Sequence, residues 1–126
     1  MKLLVTGAGG MLGQTLSPYL ARRGHDVAAF GKEELDITDS DLVQRVVAEQ
    51  RPDLIVHCAA YTQVDQAETE QEMAFAINER GTENVAVAAS KLNIPMLFVS
   101  TDYVFDGSNN KPYKTDDPTG PISVYG

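Results

Sequence analysis

Cysteine and cationic side chains are scarce in this 126-residue chain, and so are long apolar runs. One cysteine, Cys58, cannot form an internal disulfide, which suits a reducing compartment. Only 10 Lys and Arg stand against 18 Asp and Glu, giving a formal net charge of -8 without a clustered basic stripe. Such a chain repels nucleic-acid phosphates and anionic membrane surfaces, so neither is an expected partner. No apolar run approaches the roughly 20 residues that span a bilayer. The N-terminus runs from Lys2 straight into LLVTG without signal-peptide architecture. There is no internal repeat or low-complexity tract, and His57 and Cys58 have no partner at metal-ligand spacing. They read as a satisfied histidine and a buried structural thiol. These absences lead to the expectation of a soluble, cytoplasmic domain with no metal site written in the residues.

What is present is one domain's worth of core. With 43% hydrophobic residues, the chain can bury roughly two thirds of its unfolded surface. KLLVT (Lys2 to Thr6), DVAAF (Asp26 to Phe30), LIVHCAA (Leu54 to Ala60) and MLFVS (Met96 to Ser100) read as strands, most of them continuous apolar runs. Between them, Leu12, Leu16, Tyr19 and Leu20 recur at helical spacing, as do Leu42, Val43, Val46 and Val47. Residues 64–92 carry mostly helix formers, with Gly81 as an expected interruption. Strands alternating with helices predict an α/β fold, a doubly wound, Rossmann-like parallel sheet. The stretch after Asp106 is rich in Gly, Pro, Asn and Asp and reads as a long loop.

TGAGGMLG places Gly7, Gly10 and Gly13 between the first strand and the first helix. In that context Gly7 permits the tight turn, Gly10 the approach of a pyrophosphate, and Gly13 close packing of helix on sheet. Backbone N–H groups hold such an anion, so an acidic protein can still bind a dinucleotide. At the end of the second strand, where an acid would chelate the adenosine ribose, stand Gly31 and Lys32. Strict NAD use then loses its basis, and NADPH or dual use is mildly preferred. Asp36 is a candidate adenine contact or a helix cap.

Ligands of an open parallel sheet lie at the carboxyl ends of the strands. Ala59 and Ala60 are small where a cofactor would pass, and Ser100 and Thr101 place two hydroxyls at another strand end. Alone these hydroxyls could merely cap a loop. Tyr125, about two dozen residues on, makes a hydroxyl and phenol pair able to protonate a carbonyl beside a nicotinamide.

TGAGGMLG, LDIT, RPDLIVHCAAYTQVDQAE, AINERGTENVAVAA, STDYVFDG and PISVYG, in this order, resemble the extended short-chain dehydrogenase/reductase family, within it the dTDP-4-dehydrorhamnose reductases. The resemblance implies NAD(P)H-dependent reduction of the C4 keto group of dTDP-4-dehydro-L-rhamnose to dTDP-L-rhamnose, in nucleotide-sugar synthesis. Carried over by position, Gly10, Met11 and Leu12 would hold the pyrophosphate, and Asp36 and Ile37 would face the adenine. Ala60, Tyr61 and Thr62 would line the cofactor near the nicotinamide. Thr101 and Asp102 would contact the sugar, and Tyr125 would donate the proton. Asp65 and Glu68 also match, but are expected to serve the helix dipole in a first turn. A magnesium ion and a homodimer are compatible with the family.

The family pairs this tyrosine with a lysine four residues later, beyond Gly126. The expectation is therefore an incomplete dinucleotide-binding domain over 1–126, truncated before the last strands and the substrate domain. Little activity and exposed apolar surface on the last strand are expected of it. Two alternatives stay open: a non-catalytic binding subunit like the regulatory subunit of methionine adenosyltransferase, and a related nucleotide-sugar epimerase or dehydratase.

Overall fold

The structure is a computed structural model describing residues 1–126. Its centre is β1 (Lys2–Thr6), where Leu3, Leu4 and Val5 are all buried because the strand is paired on both edges and covered on both faces. β2 (Asp26–Phe30) pairs on one side, and β3 (Leu54–His57) on the other. β4 (Met96–Phe98) pairs with β3, so the parallel order is β2-β1-β3-β4. The order reverses beside β1, as a doubly wound sheet requires, and right-handed crossovers send successive helices to opposite faces at that point.

Between the strands lie α1 (Met11–Arg22), α2 (Ser40–Gln50), α3 (Val64–Ala67), α4 (Gln71–Phe75) and α5 (Thr82–Lys91), with a π-helical turn, Ala76–Gly81, joining the last two. α1 packs on β1 and β2, whereas α2 packs against α5. The main core joins Leu4 and Ile55 of the sheet to Val43 and Val47 of α2 and Val85 of α5, with Leu35 and Ile37 from the connecting loop. Each such aliphatic side chain, fully buried, contributes about 1.5–3 kcal/mol. Asp39 fixes where α2 begins, its carboxylate accepting from the N–H groups of Asp41 and Leu42 at 3.1 and 3.0 Å.

The structure corrects several boundaries. β3 ends at His57, because the chain then turns along the sheet edge, with Ala59 N–H donating to Thr6 Oγ1 at 3.3 Å. β4 ends at Phe98 and is not a buried strand: Leu97 and Phe98 are 50% and 51% exposed, since only β3 pairs with it. β2, the other edge, is only half-buried. Gly81 does not interrupt the helical run. Its backbone is right-handed helical, and an added Cβ would sit 2.7 Å from Ile37 Cδ1, so glycine is there for close packing. Leu12 and Tyr19 of α1 remain largely exposed.

After a 3-10 turn at Asp102–Val104, no further helix or strand forms. The long loop is tied down instead by Gly120 N–H to Val104 O at 2.9 Å and by Phe105 stacked on Tyr113 at 4.2 Å.

Candidate active site

The turn after β1 is built by glycine for geometric reasons. Gly7 has φ +66°, and a Cβ there would lie 2.6 Å from Ala59 Cα, so a side chain would collide with the loop after β3. A Cβ on Gly13 would collide with Gly7 O and Ala8 Cα, which is how α1 comes so close to the turn. Gly10 is the N-cap of α1 and supplies no capping side chain, while the space beside Gly9 is open. The first N–H groups of this 12-residue helix thus have no side chain to bond, and they face outward with the dipole's positive end. That is an anion cradle, and it fits a pyrophosphate.

Beside the turn is a cavity of about 340 Å³, lined by Gly7, Gly9, Gly10, Lys32, Leu35, Asp36, Ile37, Cys58, Ala59, Ala60 and Ile77. Asp36 Oδ1 accepts from the Thr38 hydroxyl at 2.7 Å and the Thr38 N–H at 2.9 Å. These bonds, helped by the Lys32 charge, hold the Asp36 carboxyl below its usual range. Its other oxygen is left to accept from a ligand. Ile37 is buried with 4% exposure, offering the cavity an apolar edge while anchored against Gly81. Cys58 lines the same cavity, and burial pushes its thiol up, away from reactive thiolate.

A second cavity, about 220 Å³, is lined by Ala59, Ala60, Asn78, Thr82, Phe98, Val99, Ser100, Thr101, Val104, Tyr125 and Gly126. Ala59 and Ala60 belong to both cavities. The result is a trough along the carboxyl edge, with the glycine turn at one end and Thr101 and Tyr125 at the other. Thr101 Oγ1 accepts from Tyr103 N–H at 3.2 Å, so the hydroxyl caps the 3-10 turn and lines the cavity at once. Tyr125 is half-buried, edge-on to Tyr103 with ring centroids 5.5 Å apart.

Under the trough, His57 joins two elements. Nδ1 is 2.7 Å from Thr6 Oγ1 on β1, and Nε2 is 3.1 Å from Thr82 Oγ1 on α5. Burial lowers its pKa to about 4, so the ring is neutral and structural.

Six sequence-predicted residues are absent from the walls of these two cavities. Met11, Leu12 and Gly13 stand on the first turn of α1 and enter no cavity wall. Tyr61 points its hydroxyl to Glu70 Oε2, 2.7 Å away, while its backbone is clamped at both N–H and C=O by the Asn78 amide at 2.7 and 3.0 Å. Burial first, then that carboxylate, raise the phenol's pKa. Thr62 is exposed, and Asp102 lines a separate shallow cleft with Tyr103 and Phe105. No cluster of three or more His, Cys, Asp or Glu side chains able to hold a metal forms in these residues.

Sequence reasoning passed over Asn78 and Thr82, both on the trough wall. It also misplaced Glu68, which stands at the C-cap of α3 and not in its first turn. There its carboxylate accepts from Val124 N–H at 2.8 Å and pins the segment carrying Tyr125. The acids' shared spacing in VDQAE was visible; the partner, 56 residues away, was not.

A family model described as the RmlD substrate binding domain matches residues 1–126. A dTDP-4-dehydrorhamnose reductase from Streptomyces griseus is 52% identical over 123 residues, covering 98% of this chain and 40% of that protein. The crystal structure of the Bacillus anthracis dTDP-4-dehydrorhamnose reductase in complex with NADP superposes with a TM-score of 0.95 at 44% identity, covering 98% of this chain and 45% of the other. The Thermus thermophilus UDP-glucose 4-epimerase complexed with NAD has a TM-score of 0.88 at 26% identity, with 99% and 46% covered. The chain thus spans less than half the length of these relatives. No helix is long and apolar enough to cross a membrane.

Proposed function

The chain belongs to the RmlD substrate binding domain family, and on that premise we propose that residues 1–126 form the dinucleotide-binding part of a dTDP-4-dehydrorhamnose reductase. The observation that carries this reading is the pair of adjoining cavities: an uncapped helix start beside one, a hydroxyl and a phenol beside the other, and two methyl-sized side chains shared between them. NADPH or NADH supplies a hydride when bound. The chain's residues do the rest. Gly7, Gly10 and the first N–H groups of α1, those of Met11, Leu12 and Gly13, bind the pyrophosphate. Asp36 accepts from the adenine amine and Ile37 covers the ring. Ala59 and Ala60, with the backbone of Tyr61 and Thr62, shape the path toward the nicotinamide.

At the reacting end, Thr101 hydrogen-bonds the C4 oxygen of dTDP-4-dehydro-L-rhamnose and orients it. Tyr125 gives its proton to that oxygen as its carbon gains the hydride, leaving the C4 hydroxyl of dTDP-L-rhamnose. Asp102 contacts the sugar from the rim. The likeness to the Streptomyces and Bacillus dTDP-4-dehydrorhamnose reductases supports the substrate, and the latter's NADP supports the cofactor. A cytoplasmic setting suits the lone thiol of Cys58.

The test is an assay of the natural full-length gene product for NADPH and NADH oxidation with the keto sugar. Turnover should fall about 100-fold or more in Tyr125→Phe, the range of a lost general acid. Dinucleotide binding without turnover by the full-length protein would replace the reductase reading with that of a binding subunit.

A further inference from the structure

Tyr125 sits in a segment without a helix or strand of its own, so individual contacts decide where its phenol stands. Two of them flank it. After Tyr125, Gly126 packs so closely on Tyr103 O that a Cβ there would collide, and Gly126 N–H donates to Ser123 Oγ at 3.1 Å. Before it, Val124 N–H donates to Glu68 Oε1 at 2.8 Å. The first set of contacts stays within the terminal stretch. Of the hydrogen bonds made by residues 100–126, the one to Glu68 alone reaches the rest of the chain. Apolar packing does not replace it, because a cavity of about 240 Å³ lies between Val124 and Tyr125 on one side and Ala74 and Phe75 of α4 on the other.

Glu68 is itself held in place. Its N–H donates to Asp65 O at 3.3 Å, its carbonyl accepts from Gln71 Nε2 at 3.2 Å, and Ala67 beside it is fully buried. The same connection starts at Ala59 and Ala60, which wall both cavities. One short piece of chain thus shapes the cofactor path and grips the neighbour of the phenol. A proton donor must come within about 2.6–3.2 Å of the oxygen it protonates. Misplacing a reacting group by about 1 Å can cost up to about 100-fold in rate. We propose that Glu68 is a positioning residue for the reaction, holding the Val124 amide so that the Tyr125 hydroxyl is aimed into the cavity it shares with Thr101. The inference rests on the reductase reading above. Glu68 acts through the backbone and takes no part in the proton transfer itself.

The test uses the natural full-length protein with NADPH and the keto sugar, in single turnovers that read the chemical step. Glu68→Ala should slow that step about tenfold while the dissociation constant for NADPH stays unchanged. Glu68→Gln, whose amide oxygen can still accept from Val124 N–H, should recover most of the rate. In a Tyr125→Phe background no phenolic proton remains to be aimed, so Glu68→Ala should cost less than about twofold there. Full multiplication of the two losses overturns the proposal and leaves the reductase reading standing. So does an unchanged rate in Glu68→Ala, or a Glu68→Gln rate no better than that of Glu68→Ala. Weakened NADPH binding or loss of folding in Glu68→Ala marks a general structural role and overturns it equally. If the unaltered protein binds NADPH but does not reduce the keto sugar, the reductase reading fails and the proposal with it.

Discussion

Gly81→Ala tests how tightly the adenine side of the trough is packed against the helical layer. In an ordinary exposed helix the change would stabilise by about 1 kcal/mol, because alanine loses less backbone freedom than glycine. Here the new methyl would lie 2.7 Å from Ile37 Cδ1 and 2.8 Å from Ile37 Cγ1, well inside van der Waals contact. Ile37 is buried within the main core and β-branched, so it has little room to turn away. Overpacking of this kind costs about 1–3 kcal/mol. Setting that against the propensity gain leaves a net loss of about 1 kcal/mol. The pairwise origin is checked by a double-mutant cycle with Ile37→Val, which removes Cδ1 and alone costs about 0.5–1.5 kcal/mol. The double variant should lose less than the sum of the two single losses, with a coupling of at least about 0.5 kcal/mol. Urea unfolding by circular dichroism gives all four free energies. A stabilised Gly81→Ala variant, or strict additivity, would refute the packing argument.

Three further outcomes follow from the contacts described. Since burial holds His57 near pKa 4 against about 6.5 when unfolded, its contribution is fully present above pH 6.5 and is lost as pH falls toward 4, a decline of about 3 kcal/mol; His57→Asn should flatten that slope in urea midpoints taken across this window. Asp39→Ala should cost about 1 kcal/mol through loss of the α2 cap, read as a lower thermal midpoint. Glu68→Ala should raise hydrogen exchange at the Val124 amide while leaving exchange within β1 unchanged, because only the docking of the Tyr125 segment depends on that carboxylate.

The layered α/β fold was legible because its signals are local and redundant: apolar strand runs, helical periodicity and a glycine turn each point the same way. Strand ends were harder to read. LIVHCAA looks uniformly apolar, yet β3 stops at His57 because the ladder, not the composition, decides where pairing ceases. Burial of MLFVS was misjudged for a similar reason, as an edge strand and a central one can share a composition. Gly81 looked like a break, since its reason for being glycine is a side chain 44 positions earlier. The glycine turn and the alanine pair lay in short motifs, so their adjacency to a cavity could be anticipated. Glu68 could not be placed in this way, because it acts through a backbone N–H 56 residues away that no spacing rule marks.

The two cavities share Ala59 and Ala60 as wall residues, each with a side chain no larger than a methyl group. For chemical probes of this site, the consequence is a question of tethering. A fragment seated beside Asp36 and another seated beside Thr101 would have only these two small side chains between them to bridge. A linker that matches the span turns the second contact into an intramolecular event at an effective concentration on the order of millimolar, so avidity grows without any new contact. A bulkier residue at Ala60 would stand between them and make the same two fragments bind as strangers.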